Sequence, residues 1–307
     1  DYLPPEELLG NTVTLNLIVG FSFAVICLTF LDPILYFFGA SEATIPYARS
    51  FMHVILCGNM ITHMYLGMNA VLRAASKPRQ AMNATIFTVV MNILLDVLFI
   101  LVFGCGIKGA ALATVFSQSL ALVYQMRLFT NKKEILHLKR GIYGLKGRLV
   151  KNIVAIGVSP FLMNVCACFV IIFINNQLVR YGGDLMVGAY GIASAISTVF
   201  IMIIIGLNQG MQPIAGYNYG AQKIDRLMSV LRIAMITATI IVATGWTIAM
   251  TIPNLLARIF TDDPTLSTLA MTAIRLNMMV FFVVGFQMVV TNFFQCIGKV
   301  KISIFLS

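Results

Sequence analysis

The run VVMNILLDVLFILVF holds Asp96 near its middle, with apolar neighbours on both sides, whereas the other ten of the 11 acidic residues sit in loops or near the ends of apolar runs. A carboxylate inside a membrane is expensive, and such residues usually mark ion or proton pathways. Burial disfavours the charged form and a bound cation favours it. That opposition is what a proton- or sodium-coupled switch requires. Asn92 precedes Asp96 by one helical turn and shares its face. Its carbonyl oxygen suits a hard cation, or it joins two helices by a hydrogen bond. His53 and His63 lie in one apolar run, where structural hydrogen bonding is the reading taken over a proton relay. The six cysteines read as small buried hydrophobes, since no pair has metal-ligand spacing with a histidine nearby.

The elements that would position these groups are apolar runs long enough to cross a bilayer. Eight occur, at 12–32, 47–72, 81–103, 107–129, 152–179, 186–211, 229–253 and 268–296, and a ninth begins near Ile302. The chain is 59% hydrophobic and 10% charged, against roughly a quarter charged in soluble domains. The runs do not alternate in polarity, which excludes barrel strands. The expected fold class is therefore all-α and polytopic.

Basic residues near span ends set orientation. Sixteen of the 21 Lys and Arg residues fall on one side of a strict alternation, including Arg73, Lys77 and Arg79, the cluster Lys132, Lys133, Lys139 and Arg140, and Lys299 and Lys301. The opposite side holds Arg49, Lys108, Arg180, Arg258 and Arg275, together with Asp32 and Glu42. The basic segment 131–150 and Asp1 are thus placed in the cytoplasm. The net charge of +10 is a topology signal and calls for no nucleic-acid partner. An offset of 222 residues pairs Phe38 with Phe260, and Ser76-Lys77 with Gly298-Lys299, a faint parallel repeat of the kind transporters use. The expected organisation is a partial N-terminal lobe at 1–130, the basic linker at 131–150 and a partial C-terminal lobe at 151–307. No P-loop, nucleophile elbow, HExxH or dinucleotide fingerprint is present, so an enzyme is not expected. No signal peptide is recognised, and both ends read as cuts in a longer protein.

The segment GLNQGMQPIAGYNYGAQ, with Gly210, Gln212, Pro213, Gly216, Asn218, Tyr219 and Gly220 in order, resembles the helix-eight signature of the multidrug and toxic compound extrusion (MATE) family. Three further stretches are similar to that family: LRAASKPRQAMNATIFTVVMNILLDVLFI, GIKGAALATVFSQ and FFQCIGKVK. The resemblance implies a two-lobe helical bundle, of which this chain holds helices three to ten and the start of eleven. It also implies a cation site of the DinF-like branch, carried onto Asn69, Asn92, Asp96 and Thr114, with Na+ or H+ as the coupling ion. Spans 152–179 and 268–296 contain no Asp or Glu, which departs from the NorM-like branch and argues against a cation site in the C-terminal lobe.

The function so implied is secondary active multidrug export, in which drug-like amphipathic, cationic molecules are exchanged for H+ or Na+. The partners are a small-molecule substrate and the lipid bilayer, and the protein is expected to be a monomer in the bacterial inner membrane without a cofactor. A lipid-linked oligosaccharide flippase and a non-transporting scaffold are the alternatives.

Overall fold

The computed structural model describes residues 5–38, 42, 44–130, 136–139 and 141–306. Asp1 and the linker residues Lys132, Lys133 and Arg140 lie outside the described residues. Two compact units divide the chain, Asp1–Asn152 and Ile153–Ser307.

The first unit contains α1 (Pro5–Thr29), α2 (Leu31–Phe37), α3 (Ile45–Cys57), α4 (Asn59–Ala74), α5 (Pro78–Asp96), a π-helical turn (Val97–Val102) and α6 (Gly106–Thr130). The second is built on α7 (Gly147–Gly220), α8 (Ile224–Thr251), α9 (Pro253–Arg258), α10 (Pro264–Met279), α11 (Phe281–Cys296) and α12 (Val300–Leu306). Gly183, at φ 64° and ψ −165°, breaks α7 into two arms, Gly147–Gly183 and Leu185–Gly220. That conformation is open to glycine and strained for other residues. Pro160 and Pro213 lie inside the arms, and the backbone stays helical through both.

Among the described residues, six helices are long and apolar enough to cross a membrane. The other two expected spans are bent pairs: α3 and α4 meet at 55°, and α10 and α11 at 45°. Gly58 is the joint of the first pair, where any Cβ would run into the Val115 side chain. The second pair breaks at Val280.

Large apolar side chains cover the outside. Phe21, Phe23 and Ile26 of α1 and Val90, Ile93 and Leu94 of α5 are exposed, which is stable in a lipid solvent and not in water. The cysteines correct the expectation of burial: Cys57, Cys105, Cys166 and Cys168 are exposed, because a thiol is apolar enough to face lipid. The core of the first unit gathers Leu9, Val13, Met64, Met68, Leu72, Ala81 and Phe129. A larger core in the second unit includes Ile204, Met211, Val242, Ile274, Met278 and Val289.

Three helices end in the same turn. Lys77 N donates to the Leu72 carbonyl, Lys223 N to that of Asn218, and Lys299 N to that of Phe294, each at 2.9 Å. The residue before each lysine, Ser76, Gln222 or Gly298, has a positive φ. This is the Schellman closure of a helix C-terminus. Ser76 and Gly298 are the two positions that the 222-residue offset equates.

The linker belongs to the first unit. Asn11, fully buried, donates to the Gly144 carbonyl at 3.2 Å and accepts from Lys146 N at 2.9 Å. Lys146 and Lys139 pair with Glu7 and Glu6 at 2.6 and 2.5 Å. The start of α1 and the described part of the linker therefore share one end of the unit. Arg49 and Asp32 form a two-pronged ion pair at 2.8 and 2.6 Å between α3 and α2.

Candidate functional site

Asp96 is the last residue of α5, and the π-helical turn follows at once. Such turns interrupt the regular ladder and often occur at functional sites. Asp96 is partly buried. Its Oδ1 is shielded from solvent and has no hydrogen-bond partner among the described residues. A shielded acceptor without a donor is costly, and in hydrocarbon a full charge there is costlier still.

One turn earlier, Asn92 Nδ2 lies 3.5 Å from Thr114 Oγ1 on α6. The Thr114 hydroxyl donates to the Ala110 carbonyl at 3.0 Å, so its lone pair is turned to the asparagine. Asn92 and Thr114 thus meet between α5 and α6, with Asp96 one turn further along α5.

Asn69 does not join them. Its amide nitrogen donates to the Ala81 carbonyl at 3.0 Å and to Thr85 Oγ1 at 3.2 Å, and its oxygen accepts from the Arg73 guanidinium. Ala81 precedes Asp96 by fifteen residues, about 22 Å of helical rise. Helices α4 and α5 run in opposite directions from the turn at Ser76-Lys77. A residue near the end of α4 therefore meets the beginning of α5, and Asn69 serves as a joint between the two.

Two residues not expected from the sequence extend the polar group. Gln118 lies one turn after Thr114 on α6, and its Oε1 accepts from Thr62 Oγ1 of α4 at 2.6 Å. The four-residue spacing from Thr114 to Gln118 is the signal that could have found it.

The signature residues divide into two sets. Gln212 Nε2 donates to Asn292 Oδ1 of α11 at 2.8 Å. Gly210, Pro213 and Gly216 continue the helix. Asn218 Nδ2 donates to the Ile214 carbonyl at 2.8 Å, and Asn218, Tyr219 and Gly220 lead into the Schellman turn at Gln222.

The MatE family model matches residues 5–98 and 158–307. The chain belongs to the MATE family. It is 25% identical over 299 residues to the multidrug export protein MepA of Staphylococcus haemolyticus, and 23% identical to that of Staphylococcus aureus (strain NCTC 8325 / PS 47). Each match covers 97% of this chain and 66% of the relative, so the chain spans just under two thirds of these proteins. Among solved structures, that of the MATE multidrug transporter DinF-BH is 32% identical, with a TM-score of 0.88 over 98% of this chain and 67% of that one. A MATE family transporter of the MOP superfamily in an outward-facing conformation has a TM-score of 0.90 at 23% identity, covering 98% of this chain and 68% of that one. The MATE chain is thus an all-α, multi-pass membrane protein of a transporter family, and that family consists of transporters rather than enzymes.

Proposed function

We propose that this chain is the larger part of a multidrug exporter that exchanges drug-like amphipathic cations for H+ or Na+ in the bacterial inner membrane, with segment 131–150 in the cytoplasm. The observation that carries the reading is the shielded Oδ1 of Asp96, without a partner among the described residues, one turn from the Asn92–Thr114 contact. A shielded acceptor of this kind is satisfied by a hydrogen-bond donor or by a cation.

The donor set fits either ion. Protonation gives Asp96 a hydrogen to donate. Na+ takes oxygen ligands, which Asp96, Asn92 and Thr114 all offer. Each condition favours a different arrangement of α5 and α6 by its differential binding energy. Export follows if the empty, ionised state is the one that accepts the drug. The family relatives named multidrug export proteins support a drug as the cargo.

The whole-cell test expresses the full-length protein in an efflux-deficient bacterium and follows ethidium accumulation. The reading predicts lower accumulation than with an empty vector, reversed by a protonophore or by removal of sodium. Accumulation equal to the vector control, with the protein present in the membrane, contradicts it.

A further inference from the structure

Inside the second unit, α7 and α11 enclose a cavity of about 170 Å³ whose polar lining is Asn208, Gln209, Gln212, Thr291, Asn292 and Gln295. Among the described residues, no charged side chain lines it. Five carboxamides converging inside an apolar span carry a desolvation cost that packing alone does not explain. Two of them satisfy each other, Gln212 donating to Asn292. Asn208 is only 2% exposed; its Nδ2 donates to the Met288 carbonyl at 3.2 Å, while its Oδ1 has no partner among the described residues. Each carboxamide brings N–H donors as well as an acceptor, so what sets the cavity apart is the unpartnered Oδ1 of Asn208 among the described residues, beside room for a functional group with several waters. Met163 and Met288 supply adaptable apolar walls.

We infer that this cavity is a ligand site that recognises an N–H or O–H donor on a transported molecule, through neutral carboxamide acceptors rather than through a counter-charge. The inference rests on the exporter reading and adds a criterion to it: among cations of similar size and apolarity, those with a hydrogen-bond donor bind more tightly. Asn208 Oδ1, shielded and without a partner among the described residues, is the acceptor assigned to that donor, and the Gln212–Asn292 bond holds the facing helix in register.

The test is equilibrium binding by the purified full-length protein, with no ion gradient, of ethidium, which carries amine N–H donors, and tetraphenylphosphonium, which carries none. Asn208→Leu is expected to weaken ethidium about tenfold, the size of one buried hydrogen bond, and to leave tetraphenylphosphonium within about twofold. Because Asn208 also holds the Met288 carbonyl, Gln295→Leu from the opposite wall is measured alongside, with the same discrimination expected and folding checked by size exclusion. Equal weakening of both cations, or no change in either, overturns the site. Wild-type protein that binds neither cation overturns the site and the exporter reading together, whereas firm binding of both that neither variant alters overturns the site alone.

Discussion

Asn92 and Thr114 meet at 3.5 Å between α5 and α6, one turn before the carboxylate of Asp96. The threonine hydroxyl is committed as a donor to the Ala110 carbonyl. It can therefore only accept from Asn92, which leaves the Asn92 carbonyl oxygen free for a proton donor or a cation.

Thr114→Val keeps the shape of the side chain and removes that acceptor. Ion-driven ethidium efflux by the full-length protein should fall by about tenfold or more, the equivalent of one lost buried hydrogen bond, with ethidium binding in the absence of a gradient unchanged. Transport assays in vesicles, paired with equilibrium binding, separate the two quantities. Equal loss of both would mean that Thr114 acts on folding or on the drug.

Asn69 is expected to behave in the opposite way. It bonds Ala81, Thr85 and Arg73 and so ties α4 to the beginning of α5. Asn69→Ala should destabilise the protein by about 1–3 kcal/mol, because the bonds that the buried Asn69 makes to the Ala81 carbonyl, Thr85 and Arg73 are lost. Protein that does fold should keep its ion coupling ratio. Thermal unfolding in detergent and the coupling ratio in vesicles check the two halves of this prediction.

Ser76 and Gln222 adopt positive φ at helix ends where Gly298 occupies the matching place. A left-handed conformation costs a non-glycine residue about 1 kcal/mol. Ser76→Gly and Gln222→Gly should each stabilise the protein by up to about that amount, and Gly298→Ala should do the reverse. Melting temperatures measured in one detergent decide the matter.

Asn11 clamps the linker through Gly144 and Lys146. Asn11→Leu should cost about 1–3 kcal/mol, since it removes both hydrogen bonds that the fully buried Asn11 makes to the linker. It should also open the stretch around Gly141 to limited proteolysis. Glu7→Gln removes only a half-exposed ion pair with Lys146 and should change stability by less than about 1 kcal/mol. A linker equally protected in Asn11→Leu would contradict the clamp.

Much of this fold is legible in the sequence because the bilayer imposes length and apolarity together. All eight expected runs are helical, and the ninth begins at Val300. The bends at Gly58 and Val280 are less legible, since a one-residue break leaves an apolar run uninterrupted. Asp96 and Asn92 are legible because a carboxylate among Ile, Leu and Val is too costly to keep without a use. Thr114 is reached only through family resemblance, and its contact with Asn92 depends on how α5 and α6 are turned towards each other. The place of Asn69 depends on depth along an antiparallel pair, which a motif does not encode. Gln118 and Asn208 carry little signal because uncharged carboxamides are common in such spans. Only the structure shows that Gln118 meets Thr62 and that Asn208 Oδ1 is shielded without a partner among the described residues.

The central claim is that Asp96 couples the ion to the drug. It is tested most directly with the full-length protein in proteoliposomes, following ethidium efflux under a proton gradient and then under a sodium gradient, for wild type and Asp96→Asn. The account predicts efflux driven by at least one gradient in the wild type, and in Asp96→Asn efflux no faster under a gradient than without one, while ethidium binding persists. Gradient-driven efflux that survives Asp96→Asn would contradict it.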